Sequence, residues 1–297
     1  MKIPAFLVIL LGLIPGILFG QSEDQENGLL WSITGNGLEQ PSYLYGTIHM
    51  IDSDDFFWPN GTLEAFSATE RVVFEIDMDM MNDMSAQFSM LMGVMMADGT
   101  TLGELLSEED YAFVKKEFDE LGLPMFLLER MKPMFLTIFA GGDFSPEQFT
   151  GGNIKSYEME FMAMAEEQSK ETGGLESVEF QMSIFDSIPY KAQADMLVES
   201  LRSSDNGEDQ LKEMVELYKK QDLNGLNDML NSEGETLMEY DHIILEGRNR
   251  AWIPVMDEMM KEKPTFFAVG AGHLAGETGV IHLLRAEGYQ LRPIKSL

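Results

Sequence analysis

Short runs of apolar, β-branched and aromatic residues lie near both ends of the chain and predict β-strands. The runs occupy residues 29–34, 43–48, 71–76, 265–269 and 289–294. Glycine, asparagine and proline separate the first two runs, which favours a hairpin or two neighbouring strands. Helical spacing over 61–69 then gives the order strand, helix, strand, which is typical of the opening of an α/β sheet.

The long middle of the chain has apolar residues at helical spacing. Ser107 and Asp110 resemble a capping box with aspartate in the place of glutamate, and they predict a helix that ends at Gly122. Further helices are predicted over about 125–140, 156–170, 177–186, 190–203, 208–220, 222–231, 236–262 and 279–287. We therefore expect a single α/β domain over 21–297, with a central mixed sheet built from the N- and C-terminal segments and a large helical insertion over about 77–263.

The first twenty residues have the pattern of a secretory signal peptide. Residues 3–19 are apolar almost throughout, follow a single lysine and give way to a polar sequence after Gly20, where we expect cleavage. The alternative is an uncleaved membrane anchor, but the run is short for a bilayer and Pro15 interrupts it. No later segment reaches about eighteen uninterrupted apolar residues. We expect a mature protein without a transmembrane segment, exported to the periplasm, the cell surface or the medium.

Composition and charge exclude several classes of protein. The chain has 51 acidic and 20 basic residues, a net charge of −31, which excludes a nucleic-acid-binding protein that neutralises phosphates. Cysteine is absent, so disulfides, thiolate metal sites and cysteine nucleophiles are excluded. The acid is concentrated in 76–263, with 39 acidic and 15 basic residues, whereas 264–297 has 2 and 3. Because a negative field attracts cations, we expect neutral or basic substrates.

Methionine follows the acidic residues, with 22 of 24 in 76–263. Most should fill the core, because methionine adapts to irregular gaps. Methionine also forms surfaces that accommodate varied partners, and we assign Met90, Met92, Met95 and Met96 least readily to the core.

Two of the four histidines share one local pattern. His49 and His273 each close a Gly-x-x-His sequence at the end of a predicted strand. Glycine lets the backbone turn and leaves space at the carboxyl end of the strand, where ligands bind in α/β sheets. One such tetrapeptide is a weak signal, whereas two at distant strand ends are more specific. His242 and His282 lie outside both motifs, and we expect them to be structural or exposed.

Glu75 lies in an otherwise apolar strand, where a carboxylate is costly unless it is paired, hydrogen-bonded or bound to metal. With His49 and His273 it makes a set of two histidines and one carboxylate, which suits a divalent cation and leaves positions for water and substrate. Mn, Co, Zn and Fe all accept these ligands. The alternative is that Glu75 pairs with Arg71 or another cation and that the histidines form hydrogen bonds in turns.

These motifs resemble the signatures of the TraB/GumN family over essentially the whole chain after the signal peptide. The matching sequences, in chain order, are YLYGTIH from Tyr43, VFE from Val73, GLESVEFQ from Gly174, Arg248-Asn249 and VGAGHL from Val269. The family is related to the Tiki metalloproteases, secreted or membrane-tethered peptidases that use a divalent cation, and more distantly to the erythromycin-esterase and ChaN-like folds. The resemblance implies an α/β domain whose active site contains His49, His273 and Glu75.

The resemblance also implies roles for polar residues elsewhere. Arg248 and Asn249 match an Arg-Asn pair before a long helix; they suit binding of a substrate carboxylate or oxyanion, and capping or bridging of the helix is the alternative. Glu176 is a candidate acceptor for a histidine N–H. Either Glu75 or Glu176 is a candidate general base if it does not bind the metal. We interpret Glu158 and Glu160 as solvated surface in preference to cleft residues.

We therefore expect an exported metal-dependent hydrolase, specifically a peptidase that activates water on a divalent cation. Its substrate would be a peptide or a small molecule. The alternative is a non-catalytic protein of the same fold that binds a peptide, haem or a metal, which the methionine-dense helices and the haem-binding ChaN-like relatives favour. A family member that has lost catalysis is a third possibility, and the presence of both histidines and Glu75 argues against it.

Overall fold

The computed structural model describes residues 27–78, 80, 84–140, 153–203, 207–232, 240 and 242–294. The predicted signal peptide, residues 1–20, lies outside these ranges. The protein has the predicted mixed α/β fold, with helices packed around a central sheet of six strands.

The order of the strands brings the two ends of the chain together. The strands are β1 (Leu30–Gly35), β2 (Ser42–Thr47), β3 (Ile51–Asp52), β4 (Arg71–Ile76), β5 (Ile154–Lys155), β6 (Glu171–Glu176), β7 (Thr265–Gly270) and β8 (Tyr289–Pro293). The central sheet has the order β6-β4-β7-β2-β1-β8, and β3 pairs with β5 in a separate ribbon. β1 is antiparallel to β2 and β8, which confirms that the first two strands are neighbours. β2, β7, β4 and β6 are parallel, so their carboxyl ends lie along one edge of the sheet.

The central strand β7 is buried from Thr265 through Val269, as expected of a parallel strand with both faces covered. Phe267 lies between Leu44 of β2 and Val73 of β4 in the register of the sheet, and all three are fully buried. Burial of apolar side chains of this size stabilises the fold by about 1.5–3 kcal/mol each. The apolar runs from the two ends of the chain therefore meet in the centre of the core.

β6 is a strand that the hydrophobic pattern does not predict. It lies within the predicted insertion 77–263, so one strand of the sheet comes from the middle of the chain. Its two glycines are poor strand formers. The second is required by close packing, because a Cβ at Gly174 would lie 2.7 Å from the carbonyl carbon of Ile76 in β4. The ribbon of β3 and β5 is also unpredicted, since two residues are too few to show an alternating pattern.

Helices occupy most of the predicted positions. They are α1 (Thr62–Ser67), α2 (Met84–Gly93), α3 (Leu102–Leu105), α4 (Glu108–Glu120), α5 (Met125–Leu128), α6 (Pro133–Ala140), α7 (Tyr157–Gln168), α8 (Val178–Asp186), α9 (Tyr190–Ser203), α10 (Gly207–Lys219), α11 (Leu223–Ser232), α12 (Gly247–Glu262) and α13 (Val280–Ala286). The cap before α4 is confirmed, because the Ser107 hydroxyl accepts the Asp110 amide N–H at 3.1 Å. The predicted helix 125–140 is divided into α5 and α6. Within the predicted helix 236–262, a π-helical turn, His242–Glu246, leads into α12, and 233–239 and 241 are outside the described ranges.

The helical region has an apolar core of its own. It lies among α3, α4, α5, α6 and α9, and its buried members are Leu102, Leu106, Val114, Phe118, Met125, Leu128, Leu136, Ala194, Leu197, Val198 and Leu201. The four methionines assigned least readily to the core are divided: Met96 is buried, Met90 and Met95 are half-buried, and Met92 is exposed. The larger core surrounds the sheet and supports the edge at which the parallel strands end.

Candidate active site

The predicted site residues lie along the edge where the four parallel strands end. Glu75 is on β4, Glu176 ends β6, and His49 and His273 follow β2 and β7 by two and three residues. Arg248 reaches the same edge from α12. A cavity of about 510 Å³ opens here, lined by His49, Glu75, Arg248 and His273 among others. The structure therefore brings the three predicted metal ligands to one cavity.

Arg248, in the first turn of α12, is the centre of a buried charge network. Its Nη2 lies 2.5 Å from Glu75 Oε2 and 2.7 Å from Glu176 Oε1, and its Nε lies 3.0 Å from Glu176 Oε1. The side chains of Arg248, Glu75 and Glu176 are 9, 12 and 4% exposed. Burial disfavours the guanidinium charge, but the two carboxylates raise the pKa of Arg248 above its ordinary value. Loss of Arg248 would leave two buried carboxylates without a compensating cation.

Glu75 is ionised at neutral pH. Burial tends to raise the pKa of its carboxyl group, but the electrostatic effects of His273 and Arg248 lower it to about 2. The Gly270 amide N–H also donates to Glu75 Oε1 at 2.9 Å. A Cβ at Gly270 would lie 3.2 Å from the same oxygen, so the glycine leaves room for the carboxylate. Arg71, the named alternative partner of Glu75, pairs with other carboxylates.

His273 is buried and neutral. Its Nδ1 lies 2.6 Å from Asn249 Oδ1, and its Nε2 lies 3.1 Å from Arg248 Nη1. Because arginine only donates, Nε2 must be the acceptor, which assigns the ring proton to Nδ1. Burial lowers the pKa of His273 to about 4. Trp252 packs against the imidazole with ring centroids 4.4 Å apart, so the tautomer and the orientation of the ring are both held.

His49 is the more exposed of the two motif histidines. Its side chain is 68% exposed, and its Nδ1 lies 2.9 Å from Glu158 Oε1. The Thr47 hydroxyl donates to the same oxygen at 2.7 Å, and the Ser156 hydroxyl donates to the other oxygen at 2.8 Å. The hydrogen bond with Glu158 raises the pKa of His49 to about 9. His49 therefore carries a proton on both nitrogens at neutral pH.

Glu158 is part of the site, and its interpretation as solvated surface is wrong. Its side chain is only 12% exposed and anchors the first motif through His49 and Thr47. Burial tends to raise the pKa of Glu158, but the hydrogen bond with His49 lowers it. Glu160, by contrast, pairs with Lys155 at the surface. Carboxylates are favoured in the first turn of any helix, so the sequence carries no signal that separates these two.

Glu176 and Asn249 contact different partners from those expected from the sequence. The Glu176 carboxylate accepts hydrogen bonds from Arg248, from Trp252 Nε1 at 2.8 Å and from Gln181 Nε2 at 3.1 Å, and no described histidine donates to it. Asn249 is the residue that accepts from a histidine, and its own amide donates to a backbone carbonyl at 2.9 Å. Arg248 and Asn249 thus face the site and do not cap the helix. Trp252 and Gln181 are contact residues that sequence reasoning missed.

The donor chemistry of the site fits a divalent cation. Metal-binding histidines usually donate one ring N–H to a carboxylate or carbonyl oxygen and present the other nitrogen to the ion. His273 has this arrangement, with Nε2 3.7 Å from Glu75 Oε1, and His49 has the same bond from Nδ1 to Glu158. As placed, the described part of the chain contains no group of three or more His, Asp or Glu side chains arranged so that they could hold an ion. Arg248 occupies His273 Nε2 and Glu75 Oε2, and His49 is protonated on both nitrogens at neutral pH. Ion binding by the predicted set therefore requires Arg248 to move and His49 to release its Nε2 proton.

Among the helices within the described ranges, none is both long enough and apolar enough to cross a bilayer.

Comparison with known proteins gives matches along nearly the whole chain. The model of the TraB/PrgY/gumN family matches residues 29–293. Metalloprotease TIKI1 of Danio rerio is 24% identical over 316 residues, covering 89% of this chain and 63% of the relative. TIKI1 of Homo sapiens is 25% identical over 326 residues, covering 91% and 62%. TIKI2 of Danio rerio is 23% identical over 327 residues, covering 91% and 61%. The chain therefore spans about three fifths of the length of these relatives. No solved structure matches the chain significantly.

Proposed function

Because this chain belongs to the TraB/PrgY/gumN family, we propose that it is an exported metal-dependent hydrolase that cleaves peptides. The observation that carries the proposal is the meeting of two strand-end histidines and the ionised Glu75 on one cavity. The names of the metalloprotease relatives support it at the level of the family.

His49, Glu75 and His273 are the residues that would hold the ion. When bound, a divalent cation would supply a Lewis acid for the substrate carbonyl and make water more acidic. Glu158 and Asn249 would then orient the two imidazoles through their Nδ1–H groups. The remaining residues act through charge and position.

Arg248 is the candidate for binding a substrate oxygen. A guanidinium has five N–H donors. The movement of Arg248 that ion binding requires would release the N–H groups bonded to Glu75 and His273. Even before that movement, the described contacts with Glu75, Glu176 and His273 use only four of the five N–H groups, and the fifth is on Nη1. Arg248 lines the cavity, so this N–H is suited to an oxyanion or a carboxylate of the substrate. Glu176 holds the guanidinium in place and is thereby a positioning residue.

Glu75 is better suited to holding a cation than to taking a proton. A general base is most effective with a pKa near the working pH, and the pKa of Glu75 is about 2. Glu176 accepts from three side chains, which also reduces its capacity as a base. The role of general base is therefore less favoured than cation binding for Glu75, and less favoured than positioning of Arg248 for Glu176.

The test is metal content and peptide hydrolysis of the purified full chain. We expect Mn²⁺, Co²⁺, Zn²⁺ or Fe²⁺ to be retained and to support cleavage of members of a broad peptide library. His273→Gln should lose both metal and activity, whereas the exposed His282→Gln should keep both. Absence of cleavage with every ion, or equal activity of the two variants, would refute the hydrolase.

Export is a separate part of the proposal. It is supported by the apolar run 3–19 and by the polar sequence after Gly20. In a host that exports the protein, the mass of the recovered chain should correspond to a first residue of Gln21. Recovery of the full chain, starting at Met1, in the soluble cell interior would contradict export.

A further inference from the structure

The cavity has two chemically different sides. Its floor is the edge of the sheet with the charged residues described above. The apolar part of the lining, here called the apolar wall, comes from α10, α11 and the π-helical turn, and consists of Leu211, Met214, Leu226, Met229, Leu230, Ile244 and Leu245. The cavity therefore combines seven apolar side chains with one compact polar site.

The helices that carry the apolar wall contact both Gly-x-x-His motifs. A Cβ at Gly272 would lie 2.9 Å from Leu230 Cδ1, so the glycine before His273 makes room for the wall. On the other motif, the Tyr218 hydroxyl of α10 donates to the Gly46 carbonyl at 2.9 Å. The wall thus begins within one residue of His273 and is held to the strand ends by described contacts. A ligand on the polar floor must lie against it.

The charges around the cavity are paired with one another. Glu75 is the only carboxylate among the described residues that line the cavity. Arg248 is compensated by Glu75 and Glu176, and His49 by Glu158. No charge on the wall is left to select a charged side chain. The described lining of the cavity therefore has no unpaired acidic charge, although the protein carries −31 overall.

Three acidic residues of the same helices point away from the cavity. Glu213 and Glu216 of α10 and Asp228 of α11 are exposed, and none of them lines the cavity. The two helices are therefore amphipathic about the cavity, with leucine and methionine turned inward and carboxylates turned to solvent. An apolar face of this kind is ordinarily covered, and here it faces a cavity of about 510 Å³, within the range of about 300–1,000 Å³ typical of ligand sites.

We propose that the apolar wall is a specificity subsite that binds a large aliphatic side chain, such as leucine or methionine, of an uncharged peptide segment lying across the strand ends. The assignment of the ligand as a substrate rests on the proposed function. Leucine and methionine line the wall, and methionine adapts its shape to ligands of varied geometry. The polar floor would meet the peptide backbone, while Asn231 at the exposed end of α11 supplies an amide at the rim.

Binding of matched peptides tests the subsite without requiring turnover. The probes are acetylated and amidated pentapeptides, Ala-Ala-Xaa-Ala-Ala, in which Xaa is leucine, alanine, lysine or aspartate. Affinities for the full chain are measured by calorimetry in EDTA, so that no peptide is cleaved. The leucine peptide should bind at least about tenfold more tightly than the alanine peptide, because burial of each methylene is favourable. The lysine and aspartate peptides should bind no better than the alanine peptide.

Matched variants locate the preference on the wall. Leu230→Gln makes the side chain polar with little change in bulk, and we expect the leucine-to-alanine ratio to fall about three- to tenfold. Met214→Gln is a second wall variant in case the first affects folding, which thermal unfolding would reveal. Leu127→Gln makes the same change as the first variant at an exposed position on α5, away from the cavity, and should leave the ratio unchanged.

The outcomes separate this proposal from the proposed function. Equal affinity for the four peptides, or an unchanged ratio in both wall variants, would overturn the subsite. Binding of the leucine peptide without hydrolysis when metal is added would support the subsite and refute the hydrolase. Hydrolysis of the leucine and aspartate peptides at equal rates would support the hydrolase and refute the subsite.

Discussion

The two Gly-x-x-His strand ends have the same local sequence pattern and opposite electrostatic states. His49 is exposed, bonded to a carboxylate and has a pKa raised to about 9, whereas His273 is buried, bonded to an amide and an arginine, and has a pKa lowered to about 4. The glycines place both rings at the edge of the sheet. The charge of each ring is set by residues from other elements, Glu158 of α7 and Asn249 and Arg248 of α12.

The largest effect on this comparison should come from Arg248→Met. The substitution leaves Glu75 and Glu176 buried without a cation, and breaking a buried ion pair on one side costs about 3–5 kcal/mol. It also removes a positive neighbour that lowers the pKa of His273, so that pKa should rise.

Arg250→Met is the matched control for Arg248→Met. Arg250 is exposed on the same helix and pairs with Glu246, so its loss should cost no more than about 1 kcal/mol. The measurement is chemical denaturation of both variants beside the wild type. Equal losses would show that the buried network does not contribute as described.

The next effect is the loss of stability in acid. Folding lowers the pKa of His273 from 6.5 to about 4, so the unfolded chain takes up a proton that the folded chain does not. This penalty is absent above pH 6.5 and develops as the pH falls to about 4, where it reaches about 3 kcal/mol. Folding lowers the pKa of Glu75 from 4.5 to about 2, so the contribution of Glu75 is present above pH 4.5 and is lost as the pH falls through 2.

His273→Gln isolates the acid effect of the histidine. The free energy of unfolding of the wild type should fall by about 3 kcal/mol more than that of the variant between pH 7 and pH 4. Denaturation at the two pH values gives the difference. Parallel losses in the two proteins would mean that His273 titrates normally in the folded state.

Asn249→Asp should make the second strand end resemble the first. A carboxylate in the place of the amide would face His273 Nδ1 as Glu158 faces His49, and should raise the pKa of His273 by about 1–3 units. With four histidines in the chain, NMR titration of the imidazole signals gives both motif values. The pKa of His49 serves as the internal control. An unchanged pKa of His273 would contradict the prediction.

The smallest effect on stability should come from Glu158→Gln. The pKa of His49 should fall from about 9 toward its ordinary 6.5, since the hydrogen bond with the carboxylate is the main cause of the shift. The wild-type pair contributes stability below pH 6.5 that is lost as the pH rises through 9, and the variant should lack this alkaline loss. Because His49 is 68% exposed, the free energy of unfolding at neutral pH should change by less than about 1 kcal/mol.

The control for Glu158→Gln is Glu160→Gln, two residues further along α7. Glu160 pairs with Lys155, and its substitution should leave the pKa of His49 unchanged. NMR titration of the two variants checks both expectations. A fall in the pKa of His49 in both would assign the effect to the general field of the helix.

The strands at the two chain ends could be predicted because their apolar runs are long enough to show a pattern. β4 and β7 are examples, and each also places a predicted site residue at the correct edge. β6 could not be predicted in this way. Its close packing against β4 requires a glycine, and glycine has a low propensity for strands. The hydrophobic pattern describes one segment of sequence at a time, whereas the requirement for glycine in β6 arises from packing between two segments.

The same limit applies to the site. The glycines beside His49 and His273 are local signals, and so is a carboxylate in the apolar strand that contains Glu75. Glu158 and Gln181 have no such signal, since both lie on helices where polar residues are ordinary. Their roles follow from contacts across more than 100 residues of sequence, which only the fold shows.

The position of β7 between β2 and β4 has a consequence for how the molecule is completed. β2 and β4 are separated by a short stretch of chain but do not pair with each other, and the strand that joins them is the second last to be synthesised. Until Thr265–Gly270 is available, the sheet consists of two strand pairs, β1 with β2 and β4 with β6, each with an open inner edge. A chain that stops before this strand would leave these edges free for pairing with other molecules, a known route to aggregation. Synthesis through the end of β7 is therefore required for the chain to close its sheet.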